Sequence, residues 1–281
     1  MPRADTGALR ALDDVRERRH GKRHHSRAGV AVSQGSGRAA VVTGAARGIG
    51  AGCAADLAAR GFAVALLDVD GESAERVAQS MRSTGAEAYA FQCDVTSSAG
   101  VRDTFDEIVS RLGPLGAAVN AAGINVARHA VTELDDDEWS RMIAVNLTGV
   151  MHCLREEVRL MRRAGGGSIV TIGSILSTVA YPRAAAYIAT KHAVLGLTRS
   201  AAIDYAAESI RVNLVAPGHV RTDFGTEEMT AQKEAALAAT YPRGAIAEVH
   251  DISALVGFLC SDEARNITGS CYTTDGGYTA H

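Results

Sequence analysis

Aromatic side chains are scarce in this chain of 281 residues: one tryptophan, five phenylalanines and seven tyrosines amount to 5% of it. With only five prolines, a collagen-like chain is excluded. The five cysteines, Cys53, Cys93, Cys153, Cys260 and Cys271, are odd in number, far apart and never spaced C-x-x-C. That pattern excludes a disulfide mini-protein and reads as small buried hydrophobes in a reducing cytosol. No apolar stretch reaches the roughly 18 residues of a membrane span before a charge or a glycine breaks it. The start, MPRADTGALRALDDVRERRHGKRHH, has no apolar core behind its basic residues and does not read as a secretory signal. A formal net charge of −3 points to no class of partner. Aliphatic residues are what the chain has in plenty. Hydrophobic residues make up 47% against 22% charged, which suits a soluble domain with a sizeable core.

Charge divides the chain unevenly. Residues 1–36 hold eight Arg or Lys against four Asp or Glu, a balance of +4, which leaves −7 for residues 37–281. The first segment ends in Ser33-Gln34-Gly35-Ser36-Gly37, a flexible-linker composition, and 1–36 reads as a disordered basic extension. Its run 16–27 carries His20, His24 and His25, but no aromatics to stack bases and no second ligand cluster to close a metal site. Neither nucleic acid nor metal is therefore expected.

From residue 38 onward, apolar runs alternate with helical patterns. Strands are expected at 38–43, 62–68, 87–93, 115–120, 168–172 and 210–215. Helices are expected at 48–60, 71–84, 97–112, 135–163 and 184–208. Strands apolar throughout, separated by helices, imply a parallel sheet buried on both faces. The expected fold is α/β, a doubly wound parallel sheet in a single domain with helices on both faces.

Three features carry chemistry. Thr43-Gly44-Ala45-Ala46-Arg47-Gly48-Ile49-Gly50 falls at the turn from first strand to first helix. Small residues there let the backbone approach a pyrophosphate, whose charge the N–H groups of a helix start favour. With no G-K-[ST], the loop fits a dinucleotide rather than a nucleotide triphosphatase site. Asp68 ends the second strand, 18 residues beyond Gly50. A carboxylate at that point accepts hydrogen bonds from an adenosine ribose and repels a 2′-phosphate. Ser174 follows the fifth strand, and 13 residues on Tyr187 stands four before Lys191, on one helical face. Lysine is itself unusual here, with three against 26 arginines. An ammonium about 4 Å from a phenol is worth about 4 kcal/mol at an effective dielectric near 20, enough to draw the phenol from about 10 toward neutral pH. His152 and His192 read as packed or surface histidines, and 135–138 as an acidic helix start.

With these residues in order, the sequence resembles the compact single-domain branch of the short-chain dehydrogenase/reductase family over nearly all of 38–281. Gly44, Arg47, Gly48, Ile49 and Gly50 match its cofactor loop, and Asp94-Val95 its adenine-side pair. Asn120-Ala121-Ala122-Gly123 is similar to its N-N-A-G turn, with Ala121 replacing the second Asn and Asn120 expected near the ribose. Asn146, Ser174, Tyr187 and Lys191 resemble its catalytic tetrad. Pro217, Gly218, Val220 and Thr222 look like the segment that packs on the nicotinamide, and 268–277 like the closing strand.

The resemblance implies a Rossmann-fold, NAD-dependent oxidoreductase that interconverts a secondary alcohol and a ketone. Tyr187 is then expected to exchange the hydroxyl proton and Ser174 to hold the substrate oxygen. Lys191 would lower the Tyr187 pKa and bond the nicotinamide ribose, while Asn146 would link Lys191 to solvent through a water. NADP is the less favoured cofactor, although Arg47 offers a cation to a 2′-phosphate, so an NADPH-dependent ketoreductase acting on an acyl thioester is the nearest alternative. A non-catalytic nucleotide-sensing module is another, against which the intact tetrad argues. The partners implied are a small-molecule substrate and a second copy of the chain, in a cytoplasmic homotetramer or homodimer that touches no membrane. Ile175, Leu176, Tyr181 and the stretch 219–241 are expected to line the substrate pocket, with Phe224, Met229 and Leu237 as an apolar lid.

Overall fold

Seven strands, all parallel, form one sheet in the order β3-β2-β1-β4-β5-β6-β7. They are β1 Ala39–Thr43, β2 Ala63–Asp68, β3 Ala88–Gln92, β4 Leu115–Asn120, β5 Gly167–Ile172, β6 Ile210–Pro217 and β7 Cys271–Thr274. The helices are α1 Gly48–Ala59, α2 Gly71–Ser83, α3 Ser98–Leu112, α4 Asp136–Ile143, α5 Val150–Ala164, α6 Ala185–Tyr205, α7 Ala231–Ala238 and α8 Val249–Cys260. The computed structural model describes Gly35 and residues 37–125, 129–222, 224 and 230–280. Of the basic extension 1–36, residues 1–34 and 36 lie outside the described residues, as does the lid residue Met229. Gly35 is buried, and its N–H donates to the Arg60 carbonyl at 3.1 Å, so the folded body includes it.

Strand alternation builds two cores. Val41, Ala65, Leu67, Ala118 and Ile169 face one side and pack under α3 and α5 with Phe105, Ile108, Leu154 and Met161. Their sequence neighbours Val42, Val64, Leu66, Val119 and Val170 face the other, under α1 and α8 with Leu57, Ile252 and Leu259. β1 and β4 are buried along their whole length, which is why they read as unbroken apolar runs.

Two features differ from the sequence expectation. The helix expected over 135–163 is interrupted by a π turn, Ala144–Gly149, between α4 and α5. Helices α7 and α8 were not foreseen. α8 is apolar on most sides because it packs on α1 as well as on β5 and β6, so it shows little helical periodicity. Glycines permit that approach: a Cβ at Gly52 would fall on Val249, and one at Gly257 on Asp56. The acidic cluster at 135–138 behaves as read, with Asp135 capping α4 by accepting from the Asp137 and Glu138 N–H groups.

Candidate active site

Strand order reverses between β1 and β4, and a crevice opens at their carboxyl ends. Thr43 stands opposite Asn120 in register. Its Oγ1 accepts from the Ala121 and Ala122 N–H groups at 3.2 and 3.1 Å, tying the two sides of the crevice together. Gly44 is needed next to it. Its φ is +65°, and a Cβ there would lie 2.7 Å from Ala122 Cα. One turn on, a Cβ at Gly50 would fall on the Gly44 carbonyl. The start of α1 has no side-chain cap, so its first N–H groups are available to an anion.

A cavity of about 1000 Å3 runs along this edge of the sheet. At one end are Gly44, Arg47, Gly48, Ile49 and Gly50 with Asp68, Asp94 and Val95. Asp68 ends β2 and is held by backbone alone: Oδ2 accepts from Ala46 N–H at 3.0 Å and Oδ1 from Asp70 N–H at 3.1 Å. The carboxylate thus braces the glycine loop and is fixed at the cavity wall. Arg47 is exposed, and its charge acts on Asp70, whose carboxyl is held below the ordinary range first by its hydrogen bonds with Ser73.

The other end holds Ser174, Tyr187 and Lys191. Ser174 leaves β5 in an extended conformation and its Oγ accepts from Leu176 N–H at 3.1 Å. Lys191, one turn after Tyr187 on α6, donates from Nζ to the Ile172 carbonyl at 2.9 Å and stands 5.4 Å from the Tyr187 ring centre. Burial pulls Lys191 down to about 8. It pushes Tyr187 up to about 12, opposed in part by a hydrogen bond with Ser174. Burial thus opposes the fall expected for the Tyr187 pKa, and the ammonium is itself costly to keep in this wall. Gly123, Pro217, Gly218, Val220 and Thr222 complete this part of the wall, and the glycine loop with its open helix start fits a dinucleotide.

Comparison with known proteins agrees with this geometry. A family model described as Enoyl-(Acyl carrier protein) reductase matches residues 44–279. The cis-4-hydroxycyclohexanecarboxylate dehydrogenase of Sinomonas cyclohexanicum is 42% identical over 243 residues, which are 86% of this chain and 97% of that protein. The chain belongs to the short-chain dehydrogenase/reductase family. It is an oxidoreductase of that family, and solved structures of similar dehydrogenases hold either nicotinamide cofactor. Carveol dehydrogenase from Mycobacterium avium, in complex with NAD, superposes with a TM-score of 0.84 at 29% identity, covering 88% of this chain and 99% of its own. Gluconate 5-dehydrogenase from Burkholderia cenocepacia J2315, in complex with NADP and tartrate, gives 0.82 at 33% identity, covering 89% and 98%.

Not every expected site residue of this dehydrogenase reaches the cavity. Asn120 does not: it is 2% exposed and its Nδ2 donates to Glu157 Oε2 at 3.0 Å. It follows Ala118 by two along β4, so its side chain points to the α5 face and away from the cavity. Asn146 lies in the π turn, where Oδ1 accepts from Ile124 N–H at 2.8 Å and Nδ2 donates to the Ile124 carbonyl at 2.9 Å. Its amide thereby clamps the end of the 120–124 turn to the helix. Ile175, Leu176, Tyr181 and Phe224 line the cavity as expected, but Leu237 does not. Tyr241 is buried behind His219, accepting from its N–H at 2.9 Å. Wall residues that sequence reasoning missed include Asp70, Ser73, His129, Arg141, Arg183 and Tyr278. Only Asp70 and Ser73 carried a signal, as the capping turn that follows β2.

Proposed function

We propose that this dehydrogenase interconverts a secondary alcohol and a ketone with NAD(H), Tyr187 exchanging the hydroxyl proton. The observation that carries this is one cavity joining a glycine loop braced by Asp68 to Ser174, Tyr187 and Lys191. When bound, the nicotinamide supplies the hydride acceptor or donor. Gly44, Gly48 and Gly50 would hold the pyrophosphate by backbone, Asp68 the adenosine ribose, and Asp94 and Val95 the adenine side. Gly123, Val220 and Thr222 would flank the nicotinamide, with Lys191 on its ribose. Ser174 and Tyr187 would share the substrate oxygen. A phenol pushed up by burial is held protonated, the form that donates to a ketone. Asn146 would link Lys191 to solvent through a water, while its amide clamps the Ile124 backbone.

Support for NAD over NADP is a matter of charge. Asp68 and Asp70 both border the adenosine end, and the Arg47 charge already acts on Asp70. A dianionic phosphate there would meet a fixed carboxylate, and like charges in a binding site cost several kcal/mol. The substrate reading is an alcohol on an apolar frame, supported by the Ile175, Leu176, Val179 and Phe224 wall and by the ring alcohol in the name of the Sinomonas relative. Among the described residues no helix is long and apolar enough to cross a membrane. Ile203 stands exposed on α6, which supports pairing of this helix with its mate in a cytoplasmic homodimer or homotetramer. The test is turnover of a panel of cyclic and open-chain secondary alcohols and ketones with NAD and NADP. NAD is expected to exceed NADP in kcat/KM by at least about tenfold. Equal use of both would show that Arg47 governs the pocket, and no turnover with either would refute the activity.

A further inference from the structure

Where β4 packs on α5, two polar groups meet in the interior. Glu157 has no exposed surface and Asn120 almost none. Asn120 Nδ2 donates to Glu157 Oε2 at 3.0 Å. The remaining polar atoms of the same two groups, Asn120 Oδ1 and Glu157 Oε1, are buried without a hydrogen-bond partner. The small void beside Asn120, bounded by Thr43, Val95, Val145 and Cys153, leaves no room for a water. Among the described residues no cation answers the carboxyl either. Glu156, next in sequence and as fully buried, takes Arg102, Arg155 and Arg159. Of the groups packed around Glu157, Cys153 on α5 and Cys93 beyond it are thiols kept neutral by burial. On α3, Asp106 pairs with Arg159 and Arg102 with Glu156, while from α6 the titratable group in the adjoining core is Tyr205.

Two unpaired acceptors on groups already joined along one edge are both satisfied by a single proton. An O–H at Oε1 donates to Asn120 Oδ1 and closes a two-bond pair between acid and amide. We propose that Glu157 keeps its proton in the folded protein and, in that form, is a positioning residue for Asn120 and for the turn Asn120–Gly123 along the dinucleotide cavity. The link is short: Asn120 is in register with Thr43, whose Oγ1 receives the Ala121 and Ala122 N–H groups, and Ala122 backs onto Gly44. Burial pushes the Glu157 carboxyl up to about 8, with the Asn120 hydrogen bond opposing. An acid raised from 4.5 to about 8 holds a proton in the native state that the unfolded chain has released. Stability contributed by the pair is therefore full below about 4.5 and is lost as pH rises through about 8.

The effect on the cavity rests on the proposed function, so the test uses three readouts on the full chain. Infrared difference spectra of wild type against Glu157→Gln are expected to show the carbonyl band of a protonated buried acid at pH 6, fading as pH passes 8. Glutamine supplies one donor and one acceptor without titrating, so its melting temperature is expected to lack the downward slope expected of the wild type across that range. Direct titration with NADH is expected to give Glu157→Gln the wild-type Kd at pH 6. Glu157→Leu should weaken binding about tenfold, the scale of one buried hydrogen bond left unmade, with kcat little changed. If the leucine variant does not fold, a loss of NADH affinity above pH 8 that is larger in wild type than in Glu157→Gln, which shares the titration of Lys191, supports the same conclusion. An ionised carboxylate band at pH 6, or equal pH slopes in wild type and Glu157→Gln, would overturn the proposal. Failure of wild type to bind any dinucleotide would overturn the proposed function instead, leaving the infrared and melting data to decide the proton.

Discussion

The two ends of the cavity are built differently. The adenosine end is assembled from adjacent strand ends and backbone: the loop after β1, the last residue of β2 and the uncapped start of α1. Asp68 there bonds two N–H groups and no side chain. The reaction end is assembled from segments far apart in sequence, with Ser174 after β5, Tyr187 and Lys191 on α6, and walls from 129–141, 179–187, 217–222 and Phe224. One of those wall residues, Arg183, has φ +60°, a conformation that non-glycine residues seldom adopt. A backbone cradle suits a ligand whose phosphates never vary. A wall of side chains on connecting segments suits a substrate that differs from one relative to the next.

The comparison can be broken most sharply at the reaction end. Tyr187→Phe removes only the hydroxyl, and turnover is expected to fall by about 100-fold or more while the Kd for NADH is unchanged. Near-normal turnover would remove Tyr187 from the chemistry. At the other end, Gly44→Ala forces a Cβ against Ala122 at positive φ. NADH binding is expected to weaken at least about tenfold, with a loss of about 1–3 kcal/mol in stability by chemical denaturation. Retained affinity would show that the crevice is looser than drawn. Asp68→Ala is expected to cut the NAD-to-NADP ratio in kcat/KM by about tenfold, weakening NAD and relieving NADP. An unchanged ratio would shift the preference to other groups.

A subtler separation concerns pH. Tyr187 stands near 12, so the phenolate needed to take a proton from an alcohol becomes more common as pH rises, while the phenol needed by a ketone is already present. Up to about pH 8, above which Lys191 and Glu157 titrate and the dinucleotide site itself is expected to weaken, alcohol oxidation is expected to rise with pH and ketone reduction to stay level. Parallel profiles would argue that another group exchanges the proton.

Legibility follows the same division. The loop 43–50, Asp68 and the Ser174, Tyr187, Lys191 spacing are local patterns, and Gly44, residues 46–50, Asp68, Ser174, Tyr187 and Lys191 all line the cavity. The α5-facing side chain of Asn120 was not foreseen because a residue at a strand end has two possible faces, and choosing between them requires knowing that Ala118 packs under α5. The burial that opposes the Tyr187 shift escaped notice for a related reason. A spacing of four residues reveals the ammonium but not the burial that both groups share. Helix α8 escaped notice because contacts with α1 and the sheet on several sides leave no polar stripe. Nothing in the spacing announces Arg141 or Arg183, which reach the cavity through the path of the connecting segments.

The central claim, that one cavity passes a hydride between a secondary alcohol and NAD, is tested most directly by isotope transfer. Purified protein would be incubated with NAD and a cyclohexanol deuterated at the carbinol carbon, and both products examined by mass spectrometry. One deuterium on each reduced cofactor, matched by one ketone, is the expected result. Ketone formed with the label lost to solvent, or no reduction of NAD by this or any other secondary alcohol of the panel, would contradict it.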